Sequence, residues 1–289
     1  MLQVSLLWLS DLMRGVVESV KTEGGIVIKN VIPPDRARAL SKYVLNSELN
    51  ERKDTQNLKE SVRGKGHRIS AKGVGSVSKF APILPELALY LSDDRIVQAS
   101  EKLLGINFRI STIGGLVNFP GNERGYWHSD WPFNQTVASN IPAPYPNIVM
   151  HLSSLIILTE FSSSTGGTLI VPKSHLIPNN PSGNMDVDAN SIYPGEVNVT
   201  GNPGDVFFYD SRLWHSVAEN RGDSPRVAIS VRYAPWWLNL NVQQDGHPDR
   251  QRVVLDINGK DSITPRISLD TYNELPEKAK TLFMHLVEM

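Results

Sequence analysis

The sequence contains no cysteine and carries almost no net charge. Its 289 residues include 29 basic and 30 acidic side chains, for a net charge of −1 at pH 7. Without cysteine there can be no disulfide, no Cys-ligated zinc or iron–sulfur cluster and no cysteine nucleophile. This composition fits a reducing compartment, so we expect a cytoplasmic protein. The balanced charge gives no general attraction to nucleic acid, and we expect no nucleic-acid partner.

The sequence also lacks a long apolar run. No stretch reaches the roughly 18–20 consecutive apolar residues of a membrane span, so we predict none. Residues Met1–Leu9 are apolar, but they lack a basic segment and are followed by Asp11 and Arg14. We therefore expect no signal peptide. A hydrophobic content of 40% and a charged content of 20% are typical of globular proteins.

The first third of the chain is predicted to be helical, apart from one buried strand at Gly25–Ile32. Apolar residues recur at helical spacing in the first segment, and Pro33-Pro34-Asp35 begins the second helix, because proline is tolerated in a first turn. The predicted helices lie at residues 5–22, from Pro33 to about Leu45, 83–92, 94–104 and, near the end of the chain, 274–287.

Beyond residue 105, short apolar segments bounded by Gly, Pro, Asn or Ser indicate strands. The predicted strands are Phe108–Phe119, Ile148–Phe161, Thr168–Val171, Glu196–Val199, Val206–Tyr209, Leu213–Val217 and Arg226–Tyr233. Many short strands after a helical start favour a mainly β barrel or sandwich with helices packed outside. We expect one domain over residues 1–289, with a helical part to about 105, a β core at about 106–235 and a C-terminal extension at 236–289.

Three polar loops stand out between these elements. Residues 48–78 contain a basic stretch, Arg63–Lys72, and indicate either a mobile surface loop or a basic flap over an anionic substrate. The Pro- and aromatic-rich loop 131–147 and the polar loop 176–195 are expected to form the rim of a site, because long loops in compact domains are often functional.

A metal site is indicated by His128-Ser129-Asp130 together with His215. Side chains two apart on an extended segment point the same way, so His128 and Asp130 can bind one ion. With His215 as third ligand they form two imidazoles and one carboxylate on one face of an octahedron, the set that suits non-haem Fe(II). The pattern H-x-D alone is weak, because it arises often by chance.

Arg226, eleven residues after His215, strengthens this interpretation. Strand alternation places Arg226, Ala228 and Ser230 on one face of the predicted strand. An arginine pointing into a barrel is costly to bury unless it meets an anion. A guanidinium is the natural bidentate partner of a carboxylate, so Arg226 could bind the distal carboxylate of 2-oxoglutarate while the metal chelates its 2-oxo-acid end.

These motifs resemble the phytanoyl-CoA dioxygenase family over roughly residues 20–235. The resemblance rests on Trp127-His128-Ser129-Asp130, the stretch Gly166–His175, the distal His215 and Arg226, with a similar opening strand and helix at Gly25–Leu45. It implies a double-stranded β-helix, or jelly roll, that uses Fe(II) with 2-oxoglutarate and O₂ as cosubstrates. It also implies His128, Asp130 and His215 as metal ligands and Arg226 as the 2-oxoglutarate anchor.

The sequence departs from common family patterns at three positions. Tyr126 stands where glutamine often helps to hold 2-oxoglutarate, and Val217 stands where a small polar residue often lies. Lys173 replaces the usual glycine of a Pro-Gly-Ser-His turn. Halogenating relatives lack the carboxylate ligand, so the presence of Asp130 argues against halogenation.

Other candidate residues have weaker support. His151 and His175 compete as ligands, although lone histidines are more often structural. Arg212 and Arg232 are expected to be surface or structural charges. Thr168 is as consistent with contact to 2-oxoglutarate as with simple strand packing. Trp131 and Phe133 are candidates for lining the substrate pocket, because ligand sites are typically apolar.

The resemblance implies hydroxylation of an unactivated C–H bond of a small molecule, with release of succinate and CO₂. Desaturation, epoxidation and ring formation are alternatives within the same chemistry. Two other classes stay open. One is a cupin-like metal enzyme, such as a hydrolase or isomerase, that does not use 2-oxoglutarate, and the other is a non-catalytic barrel that binds a small molecule.

Overall fold

Two antiparallel β-sheets form the centre of the structure, a computed structural model that describes residues 15–54, 72–74, 77–131, 143–181, 191–238, 247–252, 256 and 266–288. The strands are β1 (Gly25–Ile28), β2 (Lys72–Val74), β3 (Arg109–Asn118), β4 (Leu152–Ile157), β5 (Thr168–Ile170), β6 (Val197–Asn198), β7 (Val206–Asp210), β8 (His215–Val217) and β9 (Arg226–Ala234). The larger sheet has the order β1-β7-β4-β9-β3-β2 and the smaller has the order β6-β5-β8. This jelly roll confirms the predicted fold class.

Helices surround the sheets, and within the described residues each predicted helix has a counterpart that overlaps its expected range. They are α1 (15–23), α2 (Pro34–Asp54), α3 (Leu84–Leu91), α4 (Asp94–Leu104), α5 (Leu269–Asn273) and α6 (Glu277–Phe283), with 3₁₀ turns at Val77–Ile83, Ser174–Leu176 and Met284–Leu286. No helix in the described part of the chain combines the length and the apolar character needed to cross a bilayer.

Two helix boundaries and one loop were predicted wrongly. Helix α2 continues past Leu45 to Asp54, because the polar residues after Leu45 include no glycine or proline to stop it. The helix predicted at 274–287 begins only at Glu277, after Pro276 at its N-cap, and beyond Phe283 it continues as a 3₁₀ turn. Helix α5, at Leu269–Asn273, was not predicted. The polar segment 48–78 thus contains the end of a helix and strand β2, while the basic stretch Arg63–Lys72 lies outside the described side chains.

The two faces of the larger sheet differ in what they contact. On β9, Val227, Ile229 and Val231 point outward into the main core, which includes apolar side chains of α2, α3 and α6. Each fully buried aliphatic side chain of this kind contributes roughly 1.5–3 kcal/mol. The alternate residues point between the sheets, toward a smaller cluster that contains Leu155 and Phe207. The helices therefore support one face and leave the interior of the jelly roll for a site.

Candidate metal centre and cosubstrate site

The fold brings His128, Asp130 and His215 together inside the jelly roll. One potential ligand atom from each lies within 4.8 Å of the other two. The segment that carries His128 pairs with β8, because His128 and His215 exchange both backbone hydrogen bonds, at 3.0 and 2.9 Å. Asp130 is held by its amide, which donates to the carbonyl oxygen of Ser211 at 2.8 Å. Two segments far apart in sequence, 128–130 and 211–215, thus bring the three ligand residues together through backbone hydrogen bonds.

Both histidines are oriented by backbone carbonyl groups. Nδ1 of His128 donates to the carbonyl oxygen of Tyr126 at 3.1 Å, and Nδ1 of His215 donates to that of Leu213 at 2.8 Å. The proton is therefore on Nδ1, and the lone pair of each Nε2 is free to bind a metal. Burial, with a smaller contribution from His215, lowers the pKa of His128 to about 3. His128 is therefore neutral near pH 7, the form that binds a metal.

Strand alternation separates these ligands from a second aromatic cluster. Trp127 and Trp214 each precede a ligand histidine, and each points to the opposite side, where both are almost fully buried. They pack with Leu169 and Val171 behind the smaller sheet. The indole N–H of Trp127 donates to the carbonyl oxygen of Ser191 at 3.0 Å. The tryptophans therefore anchor the two ligand-bearing segments from behind.

Asp130 is surrounded by donors from three strands of the larger sheet. Its Oδ2 accepts hydrogen bonds from Ser153 at 3.0 Å and from Tyr209 at 3.3 Å, and its Oδ1 accepts one from Nη2 of Arg232 at 2.5 Å. Burial by itself would raise the pKa of Asp130, but Arg232, the two imidazoles and Ser153 hold that pKa well below its usual value. Asp130 is therefore an anion throughout the neutral range and can act as an anionic ligand.

The structure gives Arg232 a specific partner. We expected a surface or structural charge, and this residue forms an ion pair with the candidate metal ligand Asp130, with its side chain 29% exposed. A signal for this was present in the sequence, because the alternation that places Arg226, Ala228 and Ser230 inward also places Arg232 inward. The other half of the contact, with Asp130, depends on strand register and could not be read from the sequence.

Arg226 is a buried guanidinium with no acidic partner among the described residues. The side chain is 1% exposed, Nε donates to the carbonyl oxygen of Gly166 at 2.9 Å, and the guanidinium lies 4.8 Å from the centre of the Phe161 ring. Its Nη1 is buried and has no hydrogen-bond acceptor. Burial lowers the pKa of Arg226 to about 10, which leaves it charged at pH 7. An isolated buried charge is costly, so the site suits a bound anion.

The smaller sheet forms a wall beside the triad, because its strand β8 carries His215. On the smaller sheet, Thr168 pairs with Val217 and Ile170 pairs with His215, so these four side chains share one face. Thr168 is 4% exposed. Val217 makes this wall apolar at the position where the family resemblance predicts a small polar residue. Tyr126, two residues before His128, packs its ring 4.9 Å from the His128 ring, centre to centre.

His151 and His175, the other two candidate metal ligands, are bound by hydrogen bonds to nearby parts of the fold. His151 is fully buried between the hydroxyl groups of Ser211 at 2.8 Å and Ser111 at 3.3 Å, and it does not join the triad. Nε2 of His175 donates to the carbonyl oxygen of Lys21 in α1 at 2.9 Å. Both are therefore part of the framework around the candidate site.

Several other candidates can now be placed. Trp131 stacks on His151 with ring centres 6.0 Å apart, directly after Asp130, while Phe133 lies outside the described residues. Arg212 is buried in an ion pair with Asp210 and holds the carbonyl oxygen of Pro146 at 2.9 Å. The rim loops 131–147 and 176–195 are described only at their ends.

Lys173 has a backbone φ of +67°, a conformation that glycine adopts without strain. This explains why glycine is usual at that position of the turn. The amide of Lys173 donates to the carbonyl oxygen of Glu23 at 3.0 Å, which ties the turn to the end of α1.

The donor set fits a hard to borderline ion such as Fe(II). Two imidazole nitrogens and one carboxylate on one side leave three octahedral positions for small ligands. The buried guanidinium of Arg226, whose Nη1 has no acceptor, provides the complementary anion site for a dicarboxylate. The observed side chains therefore fit both an iron ion and 2-oxoglutarate.

Comparisons with known proteins agree with this arrangement. A model of the family described as phytanoyl-CoA dioxygenase matches residues 20–228, which confirms the resemblance predicted from the motifs. Ectoine dioxygenase of Bordetella parapertussis is 22% identical over 275 residues, which cover 88% of this chain and 85% of that protein. An uncharacterised protein of Mycobacterium tuberculosis is 26% identical over 101 residues, so the match spans only about a third of its length (35% of each chain).

A solved structure of the same fold is the non-haem α-ketoglutarate-dependent carbocyclase SnoK from nogalamycin biosynthesis. It matches with a TM-score of 0.55 and 20% identity, covering 76% of this chain and 83% of SnoK. At this level of identity the likeness shows a shared fold. Together with the family match, it agrees with the predicted enzyme class, an iron dioxygenase that uses 2-oxoglutarate.

Proposed function

The chain belongs to the phytanoyl-CoA dioxygenase family, and on that premise we propose that it is an Fe(II)- and 2-oxoglutarate-dependent dioxygenase. It hydroxylates an unactivated C–H bond of a small-molecule metabolite and releases succinate and CO₂. Two features together carry this proposal. One is the cluster of His128, Asp130 and His215, and the other is the buried guanidinium of Arg226, which has no acidic partner among the described residues.

In this proposal each side chain has a separate task. His128 and His215 present their Nε2 atoms, and Asp130 presents an anionic oxygen, to hold the iron. Arg226 binds the distal carboxylate of 2-oxoglutarate, and Thr168 lies on the wall beside it. When bound, the iron supplies the activation of O₂, with one oxygen atom going to succinate and the other to the C–H bond of the substrate.

Apolar residues of the interior protect this chemistry. Leu155 and Phe207 face the space between the sheets and are at most 4% exposed. A water-poor interior strengthens the attraction between Arg226 and a carboxylate, because the effective dielectric constant is low. It also limits hydrolytic side reactions. The protein thus contributes ligands, a fixed cosubstrate pose and exclusion of water.

A small-molecule substrate is favoured by two observations. A curated relative whose match covers 88% of this chain is named as an ectoine dioxygenase, and a solved structure of the same fold is named as a carbocyclase from nogalamycin biosynthesis. Trp131, directly after Asp130 and stacked on His151, offers an aromatic surface close to the candidate metal ligand. Hydroxylation is the simplest outcome, and ring formation is the alternative that SnoK illustrates.

The first test measures cosubstrate binding. Under anaerobic conditions with Fe(II), the charge-transfer absorption of the iron–2-oxoglutarate complex is titrated for wild type and Arg226→Gln. Leaving a carboxylate without its buried partner costs 3–5 kcal/mol, so we expect 2-oxoglutarate to bind roughly 100-fold more weakly or worse. The matched control is Arg221→Gln, because Arg221 is 71% exposed and its ion pair within the described part of the chain is with Glu219.

The outcome separates the three candidate classes. Unchanged 2-oxoglutarate binding in Arg226→Gln would favour a metal enzyme that does not use this cosubstrate. Failure of the wild type to bind Fe(II), with no difference from Asp130→Ala, would favour a non-catalytic barrel. Succinate formation stimulated by members of a metabolite panel, and abolished in Asp130→Ala, supports the proposal and identifies the substrate.

A further inference from the structure

One row of side chains crosses the inner face of the larger sheet beneath the metal centre. The strand register pairs Ser153 of β4 with Tyr209 of β7 on one side and with Arg232 of β9 on the other, and Arg232 pairs with Thr112 of β3. Directly paired residues of antiparallel strands point to the same side of a sheet. Four adjacent strands therefore present one continuous polar row toward Asp130.

Members of this row divide the two oxygens of Asp130 between them. Neutral hydroxyl groups of Ser153 and Tyr209 approach Oδ2, whereas the guanidinium of Arg232 approaches Oδ1. Oδ2 is also the oxygen that lies 3.8 Å from Nε2 of His215. A charge-assisted hydrogen bond is roughly twice as strong as a neutral one. Oδ1, the oxygen away from the ligand histidine, is therefore held by a cation, whereas the donors to Oδ2 are neutral.

This division matters because a carboxylate can bind a metal through one oxygen or through both. If Asp130 used both, the triad would occupy four of six octahedral positions and leave two. A chelating 2-oxo acid takes two, and O₂ needs another. One-oxygen binding by Asp130 is therefore a requirement of the proposed function.

We infer that Arg232 is a positioning residue that keeps Oδ1 of Asp130 off the metal, so that the carboxylate binds through Oδ2 alone and a third coordination position stays open. This inference rests on the proposed function. A partly buried ion pair is often no more stabilising than apolar packing, so a gain in fold stability is a weak reason for this contact. Arg212 is a useful comparison. It forms a similar ion pair with Asp210, but Asp210 is not one of the three candidate metal ligands.

The test measures whether the third position is open. Nitric oxide serves as a stable stand-in for O₂, and its binding to the anaerobic protein loaded with Fe(II) and 2-oxoglutarate is quantified by electron paramagnetic resonance. The variants are Arg232→Gln, which removes the cation, and Arg232→Lys, which keeps a cation near Oδ1. Arg221→Gln is again the exposed control. Thermal unfolding confirms that each variant is folded.

We expect Arg232→Gln to retain Fe(II) and 2-oxoglutarate but to lose about 10- to 100-fold in nitric oxide binding and in O₂-dependent succinate formation, the range usual for residues that orient metal ligands. Arg232→Lys should recover part of both. A folded Arg232→Gln with wild-type nitric oxide binding overturns the inference. If instead the wild type binds no 2-oxoglutarate with Fe(II), the proposed function fails, and the two failures are thus distinct.

A second measurement does not depend on the variant folding. A crystal structure of the wild type with Co(II) and 2-oxoglutarate gives the number of Asp130 oxygens at bonding distance from the metal. One oxygen, with Oδ1 still bound to Arg232, supports the inference. Two oxygens on the metal overturn it.

Discussion

Asn118 and Arg226 face each other across β3 and β9, and both donate a hydrogen bond to the carbonyl oxygen of Gly166. The distances are 3.1 Å from Nδ2 of Asn118 and 2.9 Å from Nε of Arg226. The amide of Asn118 also donates to the carbonyl oxygen of Ala218 at 3.0 Å. Asn118 therefore joins β3 to two loops. It also fixes the carbonyl oxygen of Gly166, which accepts from Nε of Arg226 and leaves the Nη side of that guanidinium for a carboxylate.

Replacing Asn118 by alanine should weaken 2-oxoglutarate binding. We expect a loss of about 1–3 kcal/mol in unfolding free energy from the unsatisfied carbonyl groups, and roughly a tenfold rise in the 2-oxoglutarate KM, because Arg226 loses its fixed pose. Chemical denaturation and steady-state succinate formation measure the two effects. The matched control is Asn220→Ala, a buried asparagine that bonds the carbonyl oxygens of Asn118 and Ser224 but not that of Gly166. Equal KM values for the two variants would contradict the prediction.

Gly166→Ala should damage the fold far more than Gly195→Ala. Both glycines have positive φ, +74° and +81°, so both substitutions cost about 1–2 kcal/mol in backbone strain. A Cβ at Gly166 would lie within 2.9 Å of the carbonyl oxygen of Ala218 and closer still to the amide of Asn118, whereas one at Gly195 would meet nothing within 4 Å. Unfolding temperatures of the two variants isolate the clash. Similar temperatures would show that the loop at Gly166 relaxes freely.

Ser153→Ala should weaken Fe(II) binding by up to about tenfold while leaving the affinity for 2-oxoglutarate nearly unchanged. Its hydroxyl group orients Oδ2 of Asp130, and loss of such a contact usually costs 10- to 100-fold, here reduced because Tyr209 remains. Anaerobic Fe(II) titration measures the change. Ser154→Ala is the control, because Ser154 is equally buried but points to the outer face and bonds Tyr233 at 3.2 Å. A larger loss of Fe(II) affinity in Ser154→Ala would refute this division of roles.

Stability should fall at acid pH in part because of His151. Burial, followed by the charge of Arg232, lowers the pKa of His151 to about 3, compared with about 6.5 in an unfolded chain. Between pH 6.5 and pH 3, His151 is protonated in the unfolded state but not in the folded state. The free energy of unfolding therefore decreases as the pH falls from 6.5 toward 3, by up to about 5 kcal/mol. Above pH 6.5 this contribution is constant.

Urea denaturation of wild type and His151→Asn across this pH range checks the sign and the size. The variant should be less stable at pH 7, because the hydrogen bonds with Ser111 and Ser211 are changed, but its stability should depend less steeply on pH below 6.5. Identical slopes would assign the acid sensitivity to other groups.

Much of the architecture could be predicted from the sequence, because it depends on local patterns. Period-two apolar alternation and the Gly and Pro boundaries located the strands of the jelly roll, including β9 with Arg226 on its inner face. The end of α2 was missed because residues after Leu45 have no apolar periodicity, although nothing in them breaks a helix. Local rules predict where an element can exist better than where it stops.

The surroundings of the site were less predictable. His128, Asp130 and His215 could be chosen because metal chemistry restricts the ligand types. Ser153 and Tyr209 could not, since serine and tyrosine are common in strands and only the register of β4 and β7 brings them to Asp130. Contacts of this kind depend on how strands pair, which single-strand alternation does not contain.

The two histidines of the triad are oriented in a different way from Asp130, and this affects how mutations can change each ligand. Each imidazole is oriented by a backbone carbonyl group two residues earlier in its own segment. Its orientation is therefore retained when neighbouring side chains are substituted. The carboxylate group of Asp130, in contrast, is oriented among the described residues by side chains from β4, β7 and β9. The carboxylate is therefore the ligand through which point mutations can tune the metal, while the imidazoles remain a constant pair.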